Sequence, residues 1–251
     1  MLDWLKRIMR GNRVFQACGR TDTGRVRDHN EDSFAIMAER RLYLVADGMG
    51  GHNAGEVASR MAIEALVEYF SLAKVRQMAG NDEEIRHSLI NGLRFANQRI
   101  MKAAEGKPGY RGMGCTLVAC HLDGEALHTC HVGDARCYLA DAASIRQITT
   151  DHTGMAYYGK GDTEHPPPKR PVVTMAIGFP FQQDPEYHRV PLLAGHKVLL
   201  CSDGLWSMVG DTELYAIIRN AATPETACTQ LIDRANAAGG RDNITALVIF
   251  G

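Results

Sequence analysis

Two apolar runs in this chain end on the same pair of residues: YLVADGMGG closes on Asp47-Gly48, and VLLCSDGLW closes on Asp203-Gly204. Short runs of aliphatic and aromatic residues bounded by turn-formers read as strands. Each run therefore delivers a carboxylate where a buried strand gives way to a sharp change of backbone direction. A single Asp-Gly pair is ordinarily a plain turn, whereas two of them, each behind a buried strand, point to acidic groups gathered at strand ends.

Two further acidic clusters, Arg27-Asp28-His29-Asn30-Glu31-Asp32 and Gly239-Gly240-Arg241-Asp242-Asn243, fall at the edges of other strand-like runs, so a ring of carboxylates can form. Gathering carboxylates without counter-charge is repulsive and raises their pKa values, and a divalent cation is the simplest supplier of that charge. An all-oxygen donor set suits Mg²⁺ or Mn²⁺. Zinc would more often recruit Cys and His, and the ten histidines show no H-E-x-x-H pattern.

The rest of the chain supplies the frame. Strands are expected in FQACGRTD, DSFAIMAE and RLYLVAD, paired antiparallel through short connections. Helices follow over residues 55–75 and 81–105, where apolar residues recur at helical spacing. GCTLVACHLD, EALHTCHVGD, RCYLAD and SIRQITTD then read as a meander forming a second sheet. Residues 152–185, rich in Gly and Pro, suit an irregular surface flap. Strand HKVLLCSD, helices over 211–220 and 224–238, and strand NITALVIF close the chain, with Thr223-Pro224 as an N-cap and first-turn pair.

Strands grouped with strands argue for an α+β fold of two packed antiparallel sheets flanked by helices, a four-layer α-β-β-α sandwich. Residues 14–251 read as a single domain and residues 1–13 as an N-terminal extension.

Bulk properties narrow the function. With 28 Lys and Arg against 29 Asp and Glu, the net charge of -1 offers no general attraction for nucleic acid. The seven cysteines are odd in number and never spaced C-x-x-C, which fits reduced thiols in a cytoplasm. MLDWLKRIMRGNR lacks the continuous apolar run of a signal peptide or transmembrane segment.

Seven blocks, RVRDHNEDSF, LVADGMGGHNAGEVAS, GCTLVAC, HVGDARCYL, ITTDHT, VLLCSDGLW and GGRDNITALVI, resemble in identity and order the metal-dependent protein phosphatases of the type 2C class, and its compact bacterial members in particular. The resemblance spans residues 18–250. It implies hydrolysis of phosphoserine and phosphothreonine in proteins with two divalent cations, Mn²⁺ or Mg²⁺. Asp47 would bridge both, the Gly48 carbonyl would complete the first site, and Asp203 and Asp242 would hold the second. Glu31 and Asp32 match an acidic pair that acts through bound waters, and Arg27 matches the phosphate-binding arginine, whose planar fork donates bidentately. Asp151 matches an aspartate that supports a third, weaker metal. In HVGDAR, Gly133 and Asp134 are expected to shape a buried turn rather than to ligate.

The chain departs from many eukaryotic relatives at Met49, which cannot donate a proton where they carry a histidine. A metal-bound water then serves as the acid, and His52 reads as a loop residue. The flap looks shortened and carries Tyr157, Tyr158, Lys160, Lys169 and Arg170. Phosphorylated proteins and an opposing serine/threonine kinase are the implied partners of a monomer. The competing reading is a catalytically silent phosphoprotein-binding regulator with the same fold, which lost ligands would signal; none of the expected ligands is missing. A two-metal nuclease lacks its basic surface, and an aspartyl phosphohydrolase lacks a D-x-D pair.

Overall fold

The computed structural model describes residues 13–50, 54–157 and 169–251. The expectations for the N-terminal extension up to residue 12, for His52, Tyr158 and Lys160, and for the side chains of Tyr157, Lys169 and Arg170 lie outside the described residues. Twelve strands are described: β1 (Gln16–Asp22), β2 (Asp32–Met37), β3 (Leu42–Met49), β4 (Gly114–Asp123), β5 (Ala126–Val132), β6 (Arg136–Ala140), β7 (Ile145–Gln147), β8 (Thr153–Tyr157), β9 (Lys169–Val173), β10 (Glu186–Pro191), β11 (Lys197–Cys201) and β12 (Ile244–Phe250). The helices are α1 (Ala54–Tyr69), α2 (Leu72–Met78), α3 (Asp82–Ala104), α4 (Asp203–Trp206), α5 (Asp211–Asn220) and α6 (Pro224–Ala237).

Ten strands form two five-stranded sheets, ordered β1-β12-β11-β6-β7 and β10-β5-β4-β3-β2. Their named pairings are antiparallel. Period-2 alternation sorts each strand between two cores. Tyr43 and Val45 of β3 meet Val198 and Leu200 of β11 and Leu247 and Ile249 of β12 between the sheets. Leu42, Leu44 and Ala46 face the other way, under Leu66, Leu89 and Leu93 of α1 and α3. On the second sheet Leu199, Ala246 and Val248 lie under Leu214, Ile218 and Leu231 of α5 and α6. These three apolar layers define the α-β-β-α sandwich.

Four details differ from the sequence reading. The expected pairing of the first three strands holds for β2 with β3, but β1 pairs with β12 along its whole length, from Gln16 opposite Phe250 to Asp22 opposite Ile244. The four-strand meander is divided, with β4 and β5 joining β3 and with β6 and β7 in the opposite sheet. The helix expected over 55–75 is interrupted at Ser71, whose hydroxyl accepts the Lys74 N–H at 3.3 Å and starts a new helix. Asn81 caps α3 in the same way by accepting from Glu84 at 3.1 Å, and Thr223 caps α6 by accepting from Thr226 at 3.2 Å. The flap region carries a hairpin, β8 with β9, rather than irregular chain alone.

Candidate metal centre

One end of the sandwich collects the acidic residues because strands from both sheets start or stop there. Asp32 opens β2 and Asp47 lies near the end of β3; Asp203 follows β11, and Asp242 precedes β12. Asp32 is the direct cross-strand partner of Asp47, so both side chains leave the same face of the sheet. Asp47 and Asp203, from opposite sheets, are near enough to hydrogen-bond through their side chains.

The Asp-Gly glycines are not turn residues. Gly48 stays within β3, and Gly204 lies in the first turn of α4. Close approach is what each must allow. A Cβ on Gly48 would stand 2.3 Å from the Gly55 carbonyl oxygen, and one on Gly204 would stand 2.0 Å from that of Asn243. The chain can bring both carboxylates inward only where no side chain follows them.

Partners from the other sheet fix the acids. Both the Ser202 and Thr245 hydroxyls donate to Asp32 Oδ2 at 2.6 Å, while Asp32 Oδ1 is buried with no hydrogen-bond partner. Asn243 Oδ1 accepts the Glu31 N–H at 2.8 Å, and its amide group donates to the Thr23 and His29 carbonyls, each at 2.9 Å. Arg27 donates to Asp242 Oδ2 at 2.7 Å. Arg27, His29, Glu31 and Gly50 line an open cleft of about 400 Å³ beside these groups.

The electrostatics are those of carboxylates crowded together and buried. Burial, with Asp203 and Asp242 adding repulsion, pushes the Asp32 carboxyl up to about 7. Burial first, then Asp32 and Asp203, hold Asp47 well above the usual carboxylate range. Burial and Asp242 raise Asp203, and burial raises Glu31 against the pull of Arg27. The donors are oxygen only, one of them orphaned, which fits hard divalent cations. The structure thus brings Glu31, Asp32, Asp47, Gly48, Asp203 and Asp242 together, with Arg27 at the rim.

Asp151 is held in an ion pair. Its carboxylate takes a bidentate pair from Arg136, Nε to Oδ1 at 2.9 Å and Nη2 to Oδ2 at 2.7 Å, and a third bond from Gln147 at 2.8 Å. A cation there would compete with Arg136 for both oxygens. Asp134 is drawn into the acidic set instead, pushed up to about 6 by burial, then by Asp203 and Asp151. Gly133 makes the turn expected of it, with φ at +95°. The sequence reading passed over Ser202, Thr245, Asn243 and Arg136, which hold the acids in place. Their signal was only adjacency, inside CSDG, RDNIT and GDAR.

A four-layer sandwich that gathers oxygen donors at one end, with an arginine beside them, defines a class of protein suited to hold hard cations. The chain belongs to the protein phosphatase 2C family, which it matches over residues 22–237. It is 35% identical over 239 residues to the serine/threonine phosphatase stp of Listeria monocytogenes, covering 92% of this chain and 93% of that one. The crystal structure of the Mycobacterium tuberculosis serine/threonine phosphatase PstP superposes with a TM-score of 0.80 at 34% identity, covering 95% of this chain and 99% of that one. The PstP catalytic domain in complex with two manganese ions gives a TM-score of 0.78 at 34% identity, covering 94% and 98%.

Proposed function

We propose that this chain is a metal-dependent protein serine/threonine phosphatase that hydrolyses phosphoserine and phosphothreonine in proteins. The observation that carries the reading is the convergence of Asp47 and Asp203 from opposite sheets, both with raised carboxyl pKa values, next to an exposed arginine. Asp47, the Gly48 carbonyl, Asp203 and Asp242 would hold two divalent cations, Mn²⁺ or Mg²⁺, with Glu31 and Asp32 supporting them through water. When bound, the pair supplies neutralisation of the phosphoryl charge and acidification of the attacking water.

The chain's own groups do the rest. Arg27, half exposed and anchored on Asp242, presents its guanidinium to the cleft, where it can bind two phosphoryl oxygens and orient the phosphorus for in-line attack. Ser202 and Thr245 keep Asp32 turned inward, and Asn243 ties Glu31 to the start of β12. Met49 offers no proton to the leaving alkoxide.

Phosphoproteins made by a serine/threonine kinase are the substrates this reading implies, and the protein acts as a monomer in the cytoplasm. The free cysteines, six of them buried, support that location. No described helix is long and apolar enough to cross a membrane. Release of phosphate from a phosphothreonine peptide, measured with Mn²⁺, Mg²⁺, Ca²⁺ or chelator beside an Asp203→Ala variant, tests the proposal. Activity with Mn²⁺ or Mg²⁺ that disappears in the variant is the expected result; folded, cation-loaded protein inactive on several phosphopeptides would overturn it.

A further inference from the structure

From the turn that carries Asp134, a chain of hydrogen bonds leads to the sheet edge. Trp206 Nε1 donates to the Asp134 carbonyl at 3.0 Å on one side. On the other, the Gly133 N–H donates to His152 Nδ1 at 3.2 Å, and the His152 N–H returns a bond to the Gly133 carbonyl at 2.9 Å. The His152 carbonyl accepts from Thr174 at 2.8 Å, beside the β8–β9 hairpin. One residue therefore joins the β5–β6 turn to the base of the flap.

The outer nitrogen of that imidazole is held as well. A ring nitrogen that accepts an N–H carries no proton, so the proton of His152 sits on Nε2, which lies 3.1 Å from Glu186 Oε2 on edge strand β10. His188 Nε2 lies 2.8 Å from the other oxygen of Glu186, and His131 stacks on His152 with ring centroids 4.6 Å apart.

Ligand atoms of His131, His152 and Glu186 all lie within 4.8 Å of one another, a spacing that would admit a metal. The tautomers oppose it. His131 Nε2 donates to the Thr150 carbonyl at 2.8 Å, which leaves its Nδ1 buried without a partner, but His152 accepts at Nδ1 and donates to Glu186 from Nε2, so His152 has no lone pair free to bind a metal. The arrangement is a hydrogen-bonded clamp.

We propose that Glu186 and His152 are positioning residues for the hydrolysis, a proposal whose kinetic half rests on the phosphatase reading. Glu186 selects the His152 tautomer. That tautomer holds the Gly133 N–H and so sets the turn on which Asp134 approaches Asp203 and Asp151. The same residue fastens the flap base to the turn, so loosening it moves both together.

Four variants separate this from plain packing. Glu186→Gln keeps an acceptor for His152, and Glu186→Leu removes it; His152→Asn keeps an acceptor near Nδ1, and His152→Gln shifts it toward Nε2. At saturating Mn²⁺, Glu186→Leu and His152→Gln should lower kcat on a phosphothreonine peptide on the order of tenfold, with KM changed less than about twofold. Hydrogen exchange at the Gly133 amide should quicken in the same two. Glu186→Gln and His152→Asn should stay near wild type in both readouts. Equal losses in all four variants, tracking Tm, would overturn the proposal. A wild-type protein that releases no phosphate would sink the phosphatase reading, and the exchange pattern across the four variants would then decide the clamp.

Discussion

Asp32 on β2 and Asp47 on β3 face each other as direct cross-strand partners, with Asp32 gripped by two hydroxyls from the opposite sheet. Burial, with repulsion from Asp203 and Asp242 added, favours the protonated form of Asp32. The folded Asp32 pKa, about 7, lies above its unfolded value. Between those values the folded state binds the extra proton, so stability is present at low pH and is lost as the pH rises through about 7. Metal-free protein should therefore lose Tm between pH 5 and pH 8 relative to Asp32→Asn, and Mn²⁺ should restore it at pH 8 but not at pH 5. Parallel melting curves for the two proteins would count against this account.

Arg27 separates activity from stability. Its ion pair with Asp242 is solvent-exposed and contributes little to folding. Charge-assisted bonds to a phosphoryl group are stronger, so Arg27→Ala should lower kcat/KM by about 10- to 100-fold. Thermal melting should shift little. Steady-state kinetics beside a melting curve checks both halves.

Gly204→Ala should be more damaging than its size suggests. The added Cβ would meet the Asn243 carbonyl oxygen at 2.0 Å, forcing apart the segments that carry Asp203 and Asp242. A misplacement of about 1 Å at reacting groups costs roughly 100-fold in rate. Equal kcat/KM for variant and wild type would show that the chain gives way elsewhere.

Acid should weaken the fold through His121, which is buried opposite His128 and pushed down to about 4 by burial. Its unfolded pKa is higher, so the unfolded state binds the extra proton between about 6.5 and 4, and stability falls as the pH drops through that range. The urea midpoint of His121→Leu should fall less than that of wild type between pH 7 and pH 5.

Between the sheets, Leu200 is fully buried against the inward faces of both. Leu200→Ala should destabilise by roughly 2–5 kcal/mol through lost burial and a residual cavity. Urea titration measures this directly.

The acidic strand ends, the capped helix start at Thr223, and the sandwich class were all legible in the amino-acid sequence. Each depends on residues within a few positions of one another or on alternation along one strand. Which sheet a strand joins was not legible, because alternation shows that a strand has two faces and not which neighbour covers them. β1 finds β12 at the other end of the chain, and the apparent meander divides between sheets. The same limit applied at the site. Sequence marked Asp47, Asp203 and Asp242 by their neighbours, and marked Asp151 through the family resemblance alone. Only the tertiary structure, by bringing Arg136 onto Asp151 and Ser202 onto Asp32, decided which carboxylate is already neutralised and which is left buried with an unsatisfied oxygen. Charge compensation acts through space, and the fold alone brings those groups within reach.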